Sequence, residues 1–92
     1  LSKTDTMRSV FDEADLTDVD MRHAILARTS FQNAKLENAD WSDAYLYRTD
    51  LRNTDLSGVR GLRQEQIMQA CGNDSTRLPD GLVPPEPWAC FD

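Results

Sequence analysis

Large apolar side chains recur every five residues between Ser9 and Gly58. When this segment is written in groups of five, the third residue is always large and apolar: Phe11, Leu16, Met21, Leu26, Phe31, Leu36, Trp41, Leu46, Leu51 and Leu56. The first residue is small or short, and the other three are mostly polar. Neither a helix, with about 3.6 residues per turn, nor a strand, with its two-residue alternation, keeps this spacing. The pattern predicts a chain that turns a corner every five residues.

Groups such as ADLTD, AKLEN and TDLRN resemble the A(D/N)LXX consensus of the pentapeptide repeat family. Ten groups follow one another from residue 9 to residue 58 without an insertion. The resemblance implies an all-β solenoid, a right-handed quadrilateral β-helix with about 20 residues to a coil, and the ten groups would then form about two and a half coils. The first and third positions are expected to point inward and fill a narrow core, while the remaining positions face water.

Residues twenty apart should then lie above one another on the same face. This places Phe11 with Phe31 and Leu51, and Met21 with Trp41. Trp41 is larger than the usual central residue, and two explanations stay open. Either the flexible Met21 makes room for it, or the coil bulges at this position.

One outward face differs from the other three, which are polar or charged. The groups AILAR and AYLYR put Ile25 beneath Tyr45, Ala27 beneath Tyr47, and Arg28 beneath Arg48. Tyrosine and arginine are enriched in binding hot spots. The candidate binding residues are therefore Ile25, Arg28, Tyr45, Tyr47 and Arg48.

Two interpretations of this face remain open. Either the C-terminal segment or an N-terminal cap covers it, or it binds another protein, which includes a second copy of the chain. If residues after Gly58 cover it, Tyr45 and Tyr47 should be well buried.

The termini depart from the repeat. Residues 1–8 are expected to form a lead-in or cap, and a chain without an initiator Met is expected to be a fragment or a mature form whose leader has been removed. Within residues 59–72, the apolar spacing predicts a short helix from Arg63 to Cys71, with Gly72 as its stop, that caps the end of the coil. Residues 73–92 are expected to turn at residues 73–75 and then continue as an extended, proline-rich tail. Its TRLPDGL stretch is similar to the tails of some bacterial pentapeptide repeat proteins.

The two cysteines, Cys71 and Cys90, enclose this tail. We predict a disulfide that pins the tail to the capping helix, and the alternative is two reduced thiols. A disulfide would favour a periplasmic or secreted location, and reduced cysteines would favour the cytoplasm.

Charge and side-chain chemistry narrow the function. Sixteen acidic residues against ten basic ones give a net charge of −6, which disfavours nucleic-acid binding. The chain has one histidine, His23, no phosphate-binding glycine loop and no apolar run long enough for a membrane span. We therefore expect no enzyme activity, cofactor, metal or small-molecule substrate.

The function expected from the sequence is a non-catalytic protein-interaction or scaffold module, or an accessory subunit of a larger complex. The alternative is a DNA mimic that inhibits a DNA-binding enzyme such as gyrase, as some members of the family do. The short repeat segment and the basic residues Arg22, Lys35 and Arg52 argue against this alternative.

Overall fold

The structure, a computed structural model, describes residues 3–5 and 9–90. Parallel backbone bridges join residues twenty apart along the repeat segment: Val10 to Ser30, Asp15 to Lys35, Asp20 to Asp40, Ile25 to Tyr45, Ser30 to Asp50, and Asp40 to Arg60. Each bridge is isolated, so the described residues contain no continuous strand. Twenty residues, or four groups of five, therefore make one level of the molecule, and each level lies on the next.

A corner closes every group of five. In the first group after Ser9, the N–H of Ala14 donates to the carbonyl of Phe11 at 3.0 Å, as in a β-turn. The residue just before it, Glu13, has a φ of 63°, and the same left-handed backbone recurs at every fifth residue as far as Asn53, with φ 57°. The predicted corner every five residues is therefore confirmed.

The side chains at the first and third positions fill the core. Phe31, Trp41 and the third-position leucines from Leu26 to Leu56 are almost completely buried, and so are the first-position residues from Ala24 to Thr54. The rings of Phe11 and Phe31 stack with centroids 5.5 Å apart. Each buried leucine or phenylalanine contributes about 1.5–3 kcal/mol to folding. The inward positions are those that the sequence predicts.

Two of the buried first-position threonines, Thr49 and Thr54, bond to the level below. The hydroxyl of Thr49 donates to the carbonyl of Leu26 at 2.7 Å, and the hydroxyl of Thr54 donates to the carbonyl of Phe31 at 3.0 Å. The hydroxyl and the backbone carbonyl are thus both hydrogen-bonded inside the core, where an unpaired polar group would lower the stability of the fold.

Trp41 is fully buried, and its ring lies 5.0 Å from that of Phe31. The bridges on either side of it, from Asp20 to Asp40 and from Ile25 to Tyr45, both keep the twenty-residue offset. The coil therefore contains no inserted residue at Trp41, and a bulge formed by an extra residue does not explain how the ring fits.

Aspartates at the second position cap the corners. An oxygen of Asp15, Asp40 or Asp55 accepts the backbone N–H and the hydroxyl of the residue two positions on, at 2.6–3.1 Å. The side-chain hydrogen bond is the main cause that holds the pKa of these carboxyls below its usual range. The pKa of Asp20 is lowered in the same way by its hydrogen bond from Arg22.

The register already holds in the described part of the N-terminal segment. Asp5 bridges Ile25, and Lys3 has the left-handed φ of 59° that marks a corner. Residues 3–5 therefore extend the stack beneath Ile25. The rest of the predicted 1–8 lead-in lies outside the described residues.

The pairing also continues beyond Gly58, but its offset grows. Arg60 pairs with Asp40 at an offset of twenty, Cys71 with Asp50 at twenty-one, and Arg77 with Asp55 at twenty-two. One extra residue has therefore entered before Cys71 and another before Arg77. Counted from Asp20, which lies under Asp40 and Arg60, residues 60–78 build the third level, where the sequence predicts a cap and a tail.

The helix in this level, α1, spans Gln64–Ile67 and is shorter than the predicted stretch from Arg63 to Cys71. The N–H of Ala70 donates to the carbonyl of Ile67, and the N–H of Cys71 donates to Thr49 in the level below. The backbone therefore returns to hydrogen bonding with the level below before a second helical turn can form. With four residues, the only helix of the described ranges is far too short to cross a bilayer.

Gly72 does not stop the helix; it makes room for Trp88. A Cβ at Gly72 would lie 2.8 Å from the indole ring of Trp88, and the N–H of Gly72 donates to the Trp88 carbonyl at 2.8 Å. The indole N–H of Trp88 donates to the carbonyl of Ala70 at 2.8 Å. The aromatic ring thus takes the place of the missing side chain over the end of the core.

Two further contacts hold the C-terminal segment. Cys71 and Cys90 are joined by a disulfide, with Cα atoms 4.9 Å apart. Gln64 and Val83 exchange two hydrogen bonds, at 2.8 and 3.0 Å. The residues up to Cys90 are therefore fixed to the third level.

Candidate interaction surface

The face predicted to bind carries two exposed tyrosines. Tyr45 is 47% exposed, Tyr47 is 41% exposed and Ile25 is 38% exposed. Ile25 and Tyr45 occupy bridged positions on consecutive levels, and Arg28 and Arg48 lie at the next corners. We call these five residues, Ile25, Arg28, Tyr45, Tyr47 and Arg48, the tyrosine face. Ala27 adds no surface because it is only 3% exposed.

Aromatic and cationic groups are stacked on this face. The rings of Tyr45 and Tyr47 lie nearly parallel, with centroids 6.3 Å apart. The guanidinium carbons of Arg28 and Arg48 lie 6.0 and 5.5 Å from the centroid of the Tyr47 ring. At these distances the two cations are attracted to the ring face, so Tyr47 joins the aromatic and cationic parts of the surface.

The described part of the C-terminal segment does not cover the tyrosines. Trp88 packs against Gly72 at the end of the core, and Val83 pairs with Gln64. Tyr45 and Tyr47 thus keep almost half of their surface in solvent. Of the N-terminal segment, the described residues 3–5 lie beneath Ile25, and the remainder falls outside the description.

The structure adds Met68 to this surface. Met68 is 60% exposed, and it lines a hollow of about 440 Å³ together with Tyr47, Arg48, Gln69, Ala70, Cys71 and Ala89. The N–H of Arg48 donates to the carbonyl of Gln69, which places Met68 in the level above Tyr47. Met68 cannot be found by counting along the sequence, because the extra residue in the third level shifts it out of the twenty-residue spacing.

A second hollow, of about 190 Å³, lies beside the arginines. Its lining consists of Arg28, Ser30, Arg48, Asp50, Arg52, Cys71 and Cys90. Asp50 accepts two hydrogen bonds from Arg52, at 3.0 and 2.7 Å, and one from Gln32, at 3.2 Å. Burial raises the pKa of the Asp50 carboxyl, but the hydrogen bonds from Arg52 outweigh it and the pKa falls below its usual range. Asp50 therefore carries a negative charge that Arg52 already balances.

The sulfur atoms in this hollow are not free ligands. Asp50, Cys71 and Cys90 bring one carboxylate oxygen and two sulfurs within 4.8 Å of one another, a grouping that could hold a metal ion through thiolates. The two sulfurs are bonded to each other instead, and a disulfide offers no thiolate.

His23 lies apart from both hollows. Its side chain is about half exposed, and its Nε2 atom lies 4.0 Å from a carboxylate oxygen of Asp43. This is the environment of a solvated side chain.

Comparison with known protein families gives one match. Residues 24–60 match the family model of the pentapeptide repeats, with eight copies. The resemblance stated from the sequence is confirmed over these residues. The match covers less than half of the chain, and it names neither a partner nor a role. No curated protein matches the chain.

Proposed function

Because residues 24–60 of this chain are pentapeptide repeats, we propose that it is an interaction module that binds another protein through the tyrosine face. The observation that carries the proposal is the exposure of Tyr45 and Tyr47, which stack on each other next to two arginines. Tyrosine and arginine in such clusters contribute most of the energy of many interfaces.

The proposed scaffold is a right-handed quadrilateral β-helix, as the repeat family implies. The twenty-residue offset, the four groups of five per level and the corner in each group support this architecture. Successive levels in it would be linked by backbone hydrogen bonds, such as those that Ile25 and Tyr45 donate to Thr4 and Ala24.

The position of the tyrosine face on these levels favours binding. Tyr45 and Tyr47 flank Leu46, which is fully buried, and Ile25 precedes the fully buried Leu26. The backbone beneath the aromatic rings is thereby held by the core. A surface that is already ordered loses less conformational entropy when it binds.

The alternative of a DNA mimic has less support. Such a mimic displays negative charge, and the carboxylates of Asp20 and Asp50 are each within 2.8 Å of an arginine nitrogen, from Arg22 and Arg52. These ion pairs break the row of acidic side chains that a mimic of the phosphate backbone needs.

The test is capture of a partner from the native source with three forms of the chain. The wild type is compared with the double variant Tyr45→Glu/Tyr47→Glu and with the control Val10→Glu/Val83→Glu. The control adds the same charge at two exposed apolar residues outside the tyrosine face, which are 70% and 65% exposed.

We expect the wild type and the control to retain the same partner and the tyrosine variant to lose it, with all three unfolding at similar temperatures. Capture of that partner by a folded tyrosine variant would show that the tyrosine face is not the binding surface.

A further inference from the structure

Arg28 and Arg48 carry charges that the described residues do not balance. Arg22, Arg52, Arg60 and Arg63 each have a nitrogen within 4.0 Å of an aspartate oxygen. No carboxylate of residues 3–5 or 9–90 lies that close to Arg28 or Arg48, whose guanidinium groups lie by the Tyr47 ring. Arg28 and Arg48 thus differ from those four arginines, although the chain has a net charge of −6.

Arg28 and Arg48 take the left-handed backbone conformation at their corners, as Lys3, Glu13 and His23 also do. Arg28 and Arg48 are corner residues with φ of 57° and 55°, whereas the corners at residues 33, 38 and 53 are asparagines. Asparagine tolerates the left-handed conformation better than a long side chain does. The left-handed backbone at these two corners is therefore less favourable with arginine than it would be with asparagine.

The hollow next to them has a net positive charge. Arg28, Arg48 and Arg52 contribute three positive charges against the one negative charge of Asp50, which Arg52 and Gln32 already bind. Met68 and Tyr47 line the other hollow, of about 440 Å³, with exposed apolar surface, and the Tyr45 ring stacks on Tyr47. Apolar contact and positive charge therefore meet at Arg48, which lines both hollows.

We propose that the tyrosine face binds an acidic segment of a partner protein. Its carboxylates would pair with Arg28 and Arg48, and an apolar side chain next to them would pack on Tyr47 and Met68. This inference rests on the proposed function and adds the chemistry of the partner. Arginine suits this role because its planar guanidinium binds a carboxylate through two parallel hydrogen bonds.

A second copy of the chain fits this surface less well. In a twofold dimer the same patch meets itself, so the Arg28 and Arg48 pairs of the two copies would face each other and repel. A separate acidic segment has no such repulsion.

The test is selection of binders from a displayed library of short random peptides with the full-length chain. We expect the selected peptides to share at least two acidic residues near an aromatic or aliphatic one. Their affinity should fall as the salt concentration rises, because the ion pairs are partly exposed to solvent.

Matched variants then locate the site of binding. Arg28→Asn/Arg48→Asn removes the charge and suits the corner backbone, and it should weaken binding about tenfold. Lys35→Gln/Arg77→Gln removes the same charge outside the tyrosine face and should bind like the wild type. Arg28→Lys/Arg48→Lys keeps the charge but loses the planar guanidinium, so it should bind more weakly than the wild type and more tightly than the asparagine variant.

The outcomes separate this inference from the proposed function. Peptides that need Tyr45 and Tyr47 but bind the asparagine variant equally would overturn the acidic partner and leave the binding face standing. Peptides that bind Tyr45→Glu/Tyr47→Glu as well as the wild type, or a library without any enriched binder, would count against both proposals. Sedimentation of the chain as a dimer that Arg28→Asn/Arg48→Asn dissociates would make the occupant a second copy and overturn the acidic segment.

Discussion

Residues 9–58 and residues 59–90 build adjoining parts of one stack by different means. The first segment repeats one five-residue unit, which has a small residue at the first position, a large residue at the third and a corner at the fifth. The second keeps the pairing between levels but secures it by single contacts: the Gln66 side chain bonded to the carbonyls of Trp41 and Ala44, the Trp88 ring over Gly72, and the disulfide. A repeated pattern thus spreads stability over many equivalent residues, whereas the end of the stack concentrates it in a few.

The largest effect should come from the shared core. Phe31→Ala removes a fully buried ring that packs on Phe11 and Trp41, and it should lower the free energy of unfolding by about 3–5 kcal/mol. Leu78→Ala, at a partly buried position of the third level, serves as the comparison and should cost less. Urea unfolding measures both. An equal loss at the two positions would mean that the end of the stack is packed as well as its middle.

The disulfide should rank next. Replacing Cys71 and Cys90 by alanine releases a loop with a sequence separation of 19 residues and should cost about 3 kcal/mol. A reducing agent should lower the melting temperature of the wild type and leave that of the double variant unchanged. If the double variant is as stable as the wild type, Trp88 and Gln64 suffice to hold the C-terminal segment.

Gly72→Ala tests the packing of Trp88. The added Cβ would meet the ring at 2.8 Å, so we expect a loss of about 1–3 kcal/mol. In a Trp88→Ala background the same substitution should cost less, because the ring is gone and only the Thr76 hydroxyl oxygen, also 2.8 Å from the added Cβ, remains in the way. Additive losses in this double-mutant cycle would contradict the assignment of the ring to the space above Gly72.

The threonine hydroxyls offer a finer comparison of the two segments. Thr54→Val removes a hydrogen bond to Phe31, and Thr76→Val removes the equivalent one to Leu51, at 2.7 Å; each should cost about 1 kcal/mol. Each hydroxyl has a second contact at 3.1 Å, that of Thr54 with the carbonyl of Arg52 and that of Thr76 with the N–H of Asn73. Thr54 is fully buried and Thr76 is only partly buried, so the replacement of Thr54 should be the more costly of the two. Thermal unfolding of both variants measures the two losses of stability, and the opposite ranking of the losses would contradict this prediction.

The pH dependence should be the mildest effect and should arise mainly in the repeats. The pKa values of Asp15, Asp20, Asp40, Asp50 and Asp55 are all lowered in the folded chain. Their contribution to stability is therefore complete above the unfolded value of about 3.9 and is lost as the pH falls through the lower folded values. Melting temperatures measured between neutral and strongly acidic pH should stay level and then decline, and the decline should be shallower for Asp15→Asn/Asp55→Asn. If the melting temperature of that variant falls at acidic pH as steeply as that of the wild type, these two carboxylates do not couple folding to pH.

The sequence predicts the repeats well because their cause is local. Leu46, for example, is large and apolar, whereas the residue two positions before it, Ala44, is small and the residue two positions after it, Arg48, is polar. The five-residue spacing alone therefore indicates that the Leu46 side chain is buried. It also places Tyr45 above Ile25. The third level escapes this reasoning because one residue is added before Cys71 and another before Arg77. From that point, position in the five-residue pattern no longer indicates position in the stack, so neither Met68 nor the role of Gly72 can be found by counting.

These two added residues also show how such a molecule can change. Each lies between paired positions, and the chain returns to parallel pairing after each of them, at Cys71 and at Arg77. The cost of an insertion is thus confined to the side of the stack where it occurs, and the neighbouring sides keep their partners. Sequence variation of this kind can reshape one face at a time, so a binding surface can be altered while the core beneath the other faces keeps its packing.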